Sequence, residues 1–415
     1  LVYLSEINNI VDGFIYKDTI INKIRTNSKD ITTGDLFIAI NKGHEYIDEA
    51  IDNGAVAIIS EIDIQDIPSI RVNSSIEALG KIANFMRNKY NIPLIAITGS
   101  VGKTTTKELI SLVLSKKYKV LKSMKNNNNH IGVPLTLLNL DDTYDIIVTE
   151  LGMNHKGEIS YLSKICNPNY AVLTNIGTAH IGNLGSKKNI LKAKLEILDG
   201  MKNGYLIINN NDKYLKKIKY KNIIKVNKKT LKLKNIKCQE KIEFDIKNVH
   251  FTFNSYQHLL DDVLLAIKIG MLFNVDLSLI SEAICEYQNI DGRLNIIKNK
   301  YTIIDDSYNS SFESLIGGLS LLQNKKNFKF IIIGDMLELG KYSKKYHRKI
   351  NKYLKKINNK QVLLIGNYTK LIKGIHFVNI EELINYLKKY INYDNIIYIK
   401  GSHAMNLGKI KETFN

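Results

Sequence analysis

The sequence predicts an α/β protein of three domains, from the order of its elements, its length and two breaks. Short apolar runs alternate with longer segments of helical period, which is typical of parallel sheets with intervening helices. The chain has 415 residues, and at roughly 150 residues per domain this length accommodates two or three domains. The breaks at Asn91–Pro93 and Asn289–Arg293 give predicted domains at residues 1–91, 92–291 and 292–415.

Nine short apolar runs carry the strand prediction. Runs of this kind, rich in Ile, Val and Leu and bounded by turn residues, are typical of strands that are buried on both faces. They are residues 55–59, 93–97, 145–149, 170–174, 205–208, 301–305, 330–334, 361–365 and 395–399. The Lys- and Asn-rich stretch from Lys213 to Lys241 has the weakest pattern, and we predict a surface elaboration there.

The balance of charges is strongly basic. Lys and Arg number 59 against 40 Asp and Glu, which gives a formal net charge of +19. Such a charge is typical of proteins that bind nucleic acid or anionic membranes, so a basic nucleic-acid-binding NTPase is one alternative. The lysines, however, are spread along the chain together with Ile, Asn and Tyr. We therefore attribute the surplus to compositional bias and expect no nucleic-acid partner.

Cysteine usage and hydropathy indicate the compartment. Cys166, Cys238 and Cys285 are far apart, so neither a disulfide framework nor a four-thiolate zinc site is predicted. No run of the sequence reaches the ~18 consecutive apolar residues that a membrane span needs. We expect a cytoplasmic protein without membrane insertion.

The sharpest local motif follows the predicted strand at 93–97. Residues 98–106 read Thr-Gly-Ser-Val-Gly-Lys-Thr-Thr-Thr and open a segment of helical spacing. In a phosphate loop, glycines let backbone N–H groups converge on phosphate oxygens, the lysine reaches the β- and γ-phosphates, and the hydroxyl after it binds Mg²⁺. The predicted nucleotide-binding residues are Gly99, Ser100, Val101, Gly102, Lys103, Thr104 and Thr105.

Two further polar residues follow predicted strands. Glu150 comes directly after the run at 145–149, and His180 follows the run at 170–174. The carboxyl ends of parallel strands meet at one edge of a doubly wound sheet, so both side chains would face the bound phosphates. Mg²⁺ takes one or two carboxylates with phosphate oxygens and water, which makes Glu150 a candidate ligand. For a lone histidine such as His180, a hydrogen-bonded loop position is the alternative.

Taken in order, these motifs resemble those of the Mur ligases, the ATP-dependent amino-acid-adding enzymes of peptidoglycan precursor synthesis. The shortened phosphate loop is similar to theirs, and so are other segments along nearly the whole chain. These are Gly34–Ala39, Asn126–Gly132, Asp305–Asn309, Gly334–Gly340 and Lys400–Ser402. The resemblance implies a central doubly wound parallel-sheet P-loop ATPase domain, flanked by an N-terminal UDP-substrate domain and a C-terminal Rossmann-like domain.

The resemblance also implies a reaction. ATP would phosphorylate the terminal carboxylate of a UDP-N-acetylmuramoyl-tripeptide, and the amine of D-alanyl-D-alanine would attack the acyl phosphate to form an amide. The implied cofactors are ATP and two Mg²⁺ ions, and a monomer is expected. The alternatives are a ligase for the third amino acid, an enzyme similar to folylpolyglutamate synthase, or a non-catalytic nucleotide-binding protein.

The resemblance assigns roles that the pattern alone leaves open. Lys194 matches a lysine that the family carries as a carbamate, Asp305 matches a carboxylate near the ribose, and Arg293 matches an arginine that approaches ATP when the domains close about a hinge at Gly292–Arg293. The implied catalytic residues are Lys103, Glu150, His180, Lys194 and Arg293. The implied metal ligands are Thr104, Glu150, His180 and Lys194. The implied substrate contacts are Ser28, Asn128, Asn129, Asn154, Asn309 and Lys400.

Three positions depart from the family pattern. Asp262 stands where the family has an asparagine on the adenine side, and we keep it as a candidate nucleotide-binding residue. Phe312 stands in place of a proline, and His403 in place of an arginine. The departure at Asp262 marks where recognition of the nucleotide base would differ from that of the relatives, and the other two are interpreted as sequence drift.

Overall fold

The computed structural model describes residues 2–15, 17–65, 67–124, 126–238, 241–254 and 257–415. The N-terminal region is built on a mixed five-stranded sheet with one antiparallel pair at its edge. In spatial order its strands are Phe14–Ile15, Ser69–Arg71, Ala55–Ser60, Asp35–Ile38 and Ile24–Arg25. A separate antiparallel pair joins Val2–Tyr3 to Ile20–Ile21. The helices are Leu4–Val11, Ile47–Asp52 and Ser75–Lys89.

Helix Ser75–Lys89 fixes this region to the next one. Its N-terminus is capped by Ser74, whose hydroxyl accepts a hydrogen bond from the N–H of Glu77. Near its C-terminus, the buried guanidinium of Arg87 donates to the Cys166 carbonyl at 2.9 Å and to the Asn169 side chain at 3.0 Å. Because this buried cation is hydrogen-bonded to acceptors of the central region, it holds the N-terminal and central sheets in a defined orientation.

A six-stranded parallel sheet forms the central region. In spatial order its strands are Ile223–Val226, Tyr205–Asn209, Tyr170–Leu173, Leu94–Thr98, Ile146–Glu150 and Val120–Lys122. The helices are Lys103–Ser115, Gly132–Leu137, Glu158–Cys166, Ile181–Leu184, Lys187–Leu195, Leu260–Leu272 and Leu277–Glu286. The chain leaves Leu94–Thr98 toward one side of the sheet and later returns to the other side, so a switch point lies at the carboxyl end of that strand.

The stretch from Lys213 to Lys241 contains more regular secondary structure than its sequence predicts. Residues 239 and 240 of this stretch lie outside the described ranges. Lys234–Cys238 is an exposed strand of a small antiparallel sheet with Ile242–Ile246 and Val249–Phe253, so the predicted surface elaboration is confirmed there. The prediction is wrong for Ile223–Val226, which is an edge strand of the central sheet. Its two isoleucines are half-buried and only Val226 is fully buried, so the short apolar pattern is hidden among the surrounding lysines.

The C-terminal region is a six-stranded sheet whose first strand is antiparallel to the rest. In spatial order the strands are Asn295–Lys298, Thr302–Asp305, Ile396–Lys400, Lys329–Gly334, Lys360–Ile365 and Ile375–Phe377. The helices are Phe312–Leu321, Ser343–Leu354, Ile380–Tyr390 and Gly408–Phe414. At the Phe312 departure, a capping box of Ser311 and Ser314 starts the helix, and the Phe312 ring packs 4.9 Å from that of Tyr346.

The predicted α/β fold class is confirmed, and each of the nine predicted strands matches an observed strand to within one residue at either end. The domain limits near residues 91 and 291 stay predictions. No helix in the described ranges has the length and apolar character of a membrane span. Short 3₁₀ turns lie at Ser28–Asp30, Gly43–Tyr46, Glu196–Leu198, Leu215–Lys217, Gln257–Leu259, Leu337–Tyr342, Thr369–Leu371 and His403–Met405.

Candidate active site

A cleft of about 720 Å³ lies between the carboxyl edge of the central sheet and the C-terminal region. Its walls come from the phosphate loop, from the segments that follow two neighbouring strands, and from the loops of the C-terminal sheet. Most of the predicted site residues line it: Ser100, Val101, Gly102, Lys103, Thr105, Asn128, Asn129, Glu150, Asn154, His180, Arg293, Asn309 and Lys400. The fold therefore brings side chains from two sheets to one enclosed space.

The phosphate loop has the strand–turn–helix geometry that its sequence predicts. It leaves strand Leu94–Thr98, and Gly102 precedes helix Lys103–Ser115 with a φ of 83°, which favours glycine. The loop is held by Asn175, which sequence reasoning missed. Asn175 accepts from the N–H of Val101 at 3.0 Å and donates to the Val101 carbonyl at 2.9 Å. The backbone N–H groups at this helix start form a preorganised anion site.

Lys103 lies at the first position of the helix that follows the loop. Its ammonium donates to the Gly99 carbonyl at 3.2 Å, which folds the side chain back over the loop. Burial lowers the pKa of Lys103, and the carboxylate of Glu150 opposes that effect. Among the described residues, the part-buried Lys103 ammonium has only the Gly99 carbonyl as a hydrogen-bond acceptor. It can therefore pair with an incoming phosphate.

Glu150 connects the phosphate loop to the loop at 126–130, which contains Asn128. One oxygen of its buried carboxylate accepts from the Thr104 hydroxyl at 2.7 Å, and the other accepts from the Asn128 side chain at 2.8 Å. A hydroxyl and a carboxylate side by side at a phosphate loop fit Mg²⁺, which takes few protein ligands beside phosphate oxygens and water. The described residues contain no cluster of three His, Cys, Asp or Glu side chains that could hold a metal without the nucleotide.

His180 faces the C-terminal region across the cleft. Its backbone has a φ of 61°, and its Nδ1 lies 3.2 Å from a carboxylate oxygen of Glu338. Burial lowers the pKa of His180 to about 4, although Glu338 opposes that shift. The neutral imidazole is the form that binds metal.

Lys194 is buried in helix Lys187–Leu195, beside the cleft but not on its wall. Burial lowers the pKa of its amine well below the ordinary value, Lys103 lowers it further, and Glu150 opposes both. The described ranges give its Nζ no hydrogen bond and no ion pair, so nothing among them compensates the desolvation of a charged ammonium.

The C-terminal side of the cleft carries a second set of charges. The guanidinium of Arg293 stacks 4.2 Å from the centre of the Tyr308 ring. Lys400 is buried, and its ammonium lies 2.7 Å from the carboxylate of Asp306 and 3.0 Å from the Asn309 carbonyl. Burial lowers the pKa of Lys400, and the Asp306 carboxylate opposes this effect.

Besides Lys194, five predicted residues are not on the cleft walls. Asp305 is buried under Ser307 and lies 3.3 Å from Lys411, while its neighbour Asp306 lines the cleft. The carboxylate of Asp262 accepts from Thr106 at 2.9 Å and packs under the phosphate loop. Ser28 is buried in the N-terminal region and donates to Glu49. Gly99 and Thr104 are buried and do not line the cleft.

Known proteins share this domain architecture. Residues 97–275 match the Mur ligase middle domain, and residues 292–403 match the glutamate ligase domain of Mur ligases. A curated UDP-N-acetylmuramoyl-tripeptide–D-alanyl-D-alanine ligase of Buchnera aphidicola subsp. Baizongia pistaciae is 35% identical, over 99% of this chain and 97% of the relative. The chain belongs to the Mur ligase family.

Solved structures agree with this assignment. A MurF crystal structure from Acinetobacter baumannii has a TM-score of 0.87 at 26% identity and covers 99% of this chain and 97% of its own. MurF ligase of Thermotoga maritima, solved in complex with ADP, has a TM-score of 0.84 at 28% identity and covers 96% and 98%. Within the Mur ligase family, the chain is thus similar over its full length to the MurF group.

Four residues of this Mur ligase site were not predicted: Asn175, Asp306, Tyr308 and Glu338. Three of them stand inside segments that the sequence does single out, since Asp306 and Tyr308 belong to Asp305–Asn309 and Glu338 belongs to Gly334–Gly340. Asn175 follows strand Tyr170–Leu173, and the same rule that selects His180 at a strand end could have selected it.

Proposed function

We propose that this Mur ligase uses ATP to join D-alanyl-D-alanine to a UDP-N-acetylmuramoyl-tripeptide through an acyl phosphate. A free carboxylate resists attack by an amine because its oxygen is a very poor leaving group. Transfer of the γ-phosphoryl group to that carboxylate makes phosphate the leaving group, and the amine nitrogen then forms the amide bond. Full-length similarity to ligases with this name supports the proposal.

The observation that carries the proposal is the cleft itself. It has an anion site at the phosphate loop on one wall and the buried Lys400 and stacked Arg293 on the other. Phosphoryl transfer to a carboxylate needs positioning and charge neutralisation more than a covalent protein group. Lys103 and Arg293 supply positive charge from opposite sides, and Asn128, Asn129, Asn154 and Asn309 supply neutral polar contacts for the two substrates.

Mg²⁺ would be held at Thr104 and Glu150, and a second ion at His180 and a carbamate of Lys194. When bound, these ions would neutralise the charge that develops on the phosphoryl oxygens. The neutral amine of Lys194 can attack the carbon of CO₂ and lose a proton to water, which leaves an anionic carbamate. Such a group suits a hard cation, whereas an ammonium does not. The lone, enclosed Lys194 amine supports this assignment.

The proposed enzyme is tested by substrate discrimination. Purified protein is incubated with ATP, Mg²⁺ and UDP-N-acetylmuramoyl-tripeptide, and phosphate release is followed with D-alanyl-D-alanine or with single amino acids. We expect release to depend on D-alanyl-D-alanine and to be lost in Lys103→Ala without loss of the folded state. Release with a single amino acid instead would favour the third-position ligase or the folylpolyglutamate-synthase-like alternative. Near-native turnover in Lys103→Ala would overturn the proposed role of the phosphate loop.

Three further predictions accompany this function. We expect the enzyme to act in the cytoplasm as a monomer. We also expect the C-terminal region to close over ATP by rotation about Gly292–Arg293.

The expected hinge lies at Gly292, which has a φ of 71° and whose carbonyl accepts from the N–H of Tyr308 at 3.0 Å. Small-angle scattering with and without nucleotide tests the closure, and an unchanged radius of gyration would contradict it.

A further inference from the structure

A carboxylate of the C-terminal region bonds directly to the central region at a place that the proposed chemistry does not use. Glu313 lies in the first turn of helix Phe312–Leu321. One of its oxygens accepts from the backbone N–H of Thr178 at 2.8 Å and from the Thr178 hydroxyl at 2.6 Å. The other accepts from the ammonium of Lys187 at 2.8 Å. Both oxygens are therefore occupied by donors from the central region.

The donors follow, along the chain, the residue that holds the phosphate loop. Thr178 is buried and lies three residues after Asn175, which bonds to Val101 of the loop through both its donor and its acceptor atoms. Between them, Gly177 leaves room for the Glu313 carboxylate, because a Cβ at Gly177 would lie 2.9 Å from its oxygen. A side chain at this position would push the carboxylate away.

Other contacts between the two regions converge on the same segment, residues 177–187. The Tyr342 hydroxyl donates to the Gly185 carbonyl at 2.6 Å. Gly182 and Gly340 approach so closely that a Cβ on either would lie 2.8 Å from the backbone of the other. Residues 177–187 are thus the surface on which the C-terminal region docks. Glu313 is the charged residue of the C-terminal region that makes three hydrogen bonds to this surface.

We propose that Glu313 is a positioning residue that latches the C-terminal region onto residues 177–187. Because residues 177–187 closely follow Asn175, which anchors the phosphate loop, the latch sets the distance between the loop and the residues that the C-terminal region contributes, Arg293 among them. The proposal rests on the proposed ligase function, since it concerns the closed state in which that reaction runs. The competing interpretation is local: an acidic residue in a first turn stabilises its own helix through the dipole.

Four variants separate these interpretations. Glu313→Ala removes all three hydrogen bonds, whereas Glu313→Gln keeps an acceptor for Thr178 and loses the charge that pairs with Lys187. Lys187→Met removes the other partner of that pair, and the Glu313→Gln, Lys187→Met double variant tests their coupling. The matched control is Glu381→Gln. Glu381 also lies in a first turn, of helix Ile380–Tyr390, and the described residues give it no hydrogen bond or ion pair.

Steady-state ligation with D-alanyl-D-alanine is measured together with thermal unfolding and with the radius of gyration before and after addition of a non-hydrolysable ATP analogue. For Glu313→Ala we expect kcat to fall about 10- to 100-fold, since charged hydrogen bonds are lost. KM for ATP should change by less than about threefold, because the phosphate loop binds ATP before closure. The nucleotide-induced decrease in radius should shrink. Glu313→Gln and Lys187→Met should each lower kcat by less, and the double variant should be no worse than the more affected single one.

A value of kcat within about twofold of wild type in Glu313→Ala, with an unchanged radius response, would overturn the latch. So would additive losses in the double variant, or an equal effect in Glu381→Gln. If wild-type protein forms no amide from D-alanyl-D-alanine, the proposed function fails, and the radius measurement with the nucleotide analogue still decides the latch. The two failures are therefore distinguishable.

Discussion

The hydroxyl of Thr104 donates a hydrogen bond to the carboxylate of Glu150 at 2.7 Å, and both side chains are buried at the end of the central sheet. Thr104 belongs to the helix that follows the phosphate loop, and Glu150 ends the neighbouring strand. Asn128 occupies the second carboxylate oxygen at 2.8 Å. The carboxylate is therefore preorganised in one orientation before any cation or phosphate arrives.

Glu150→Gln should weaken the dependence on Mg²⁺ far more than it weakens the fold. The amide keeps the size of the side chain and one acceptor oxygen but loses the negative charge that a cation requires. We expect the Mg²⁺ concentration for half-maximal ligation to rise about 10- to 100-fold. Magnesium titration of phosphate release measures this, with thermal unfolding as the check on folding. Glu282→Gln serves as a control and should leave the titration unchanged, because Glu282 is not on the cleft walls and pairs with Lys116 at 2.7 Å. An unchanged titration in Glu150→Gln would contradict the metal assignment.

Lys194→Met should abolish ligation while leaving the fold at least as stable as wild type. Burial of the Lys194 amine carries a desolvation cost, and the described residues offer it no hydrogen-bond partner, so an apolar side chain of similar length removes that cost. Incubation of wild-type protein with ¹³C-bicarbonate should give a carbamate carbon signal in NMR, and Lys194→Met should lack it. Lys192→Met, an exposed position on the same helix, should keep both signal and activity. A signal that persists without Lys194 would show that the carbamate forms elsewhere.

The strands and the phosphate loop could be predicted from the sequence because short-range pattern determines them. Runs such as 94–97 are apolar throughout, which is what burial on both faces of a parallel sheet requires. The position of Asn128 beside Glu150 depends instead on how the loop at 126–130 folds over the sheet edge, and no spacing rule encodes that contact. The same holds for Asp305 and Asp306, since adjacent residues at a strand end face opposite ways and only the sheet orientation decides which one lines the cleft.

Contacts between the central and C-terminal regions are still harder to predict from the sequence. Glu313 looks like an ordinary first-turn acid, and its bonds to Thr178 and Lys187 follow only from the relative placement of two sheets. Asp262 was predicted from a family position on the adenine side, but its carboxylate lies beneath the phosphate loop. Whether it also contacts nucleotide stays a prediction.

Asp262→Asn should raise stability in a pH-dependent way. Burial raises the pKa of the Asp262 carboxyl well above its ordinary value, and the hydrogen bond from Thr106 opposes this only in part. The folded state then binds its proton more tightly than the unfolded chain does. This contribution to the free energy of unfolding is present at low pH and is lost as pH rises from the ordinary value through the folded pKa. We expect the thermal-unfolding midpoint of Asp262→Asn to exceed that of wild type by an amount that is small near pH 4 and grows toward pH 8. A difference independent of pH would contradict the buried, protonated carboxyl.

Tyr308 should act on the reaction through Arg293. Its ring lies 4.2 Å from the guanidinium, and its N–H bonds to Gly292 at 3.0 Å, so Tyr308 holds both the hinge and the arginine that follows it. Tyr308→Phe keeps the ring face and should leave kcat/KM for ATP within about twofold of wild type, whereas Tyr308→Leu loses the cation–π contact and should lower it about fivefold. Steady-state kinetics with ATP as the varied substrate measure this. The Arg293→Ala, Tyr308→Leu double variant should be no less active than Arg293→Ala alone, because the ring acts only by orienting the guanidinium. Full additivity of the two substitutions would mean that Tyr308 contacts the substrates independently of Arg293.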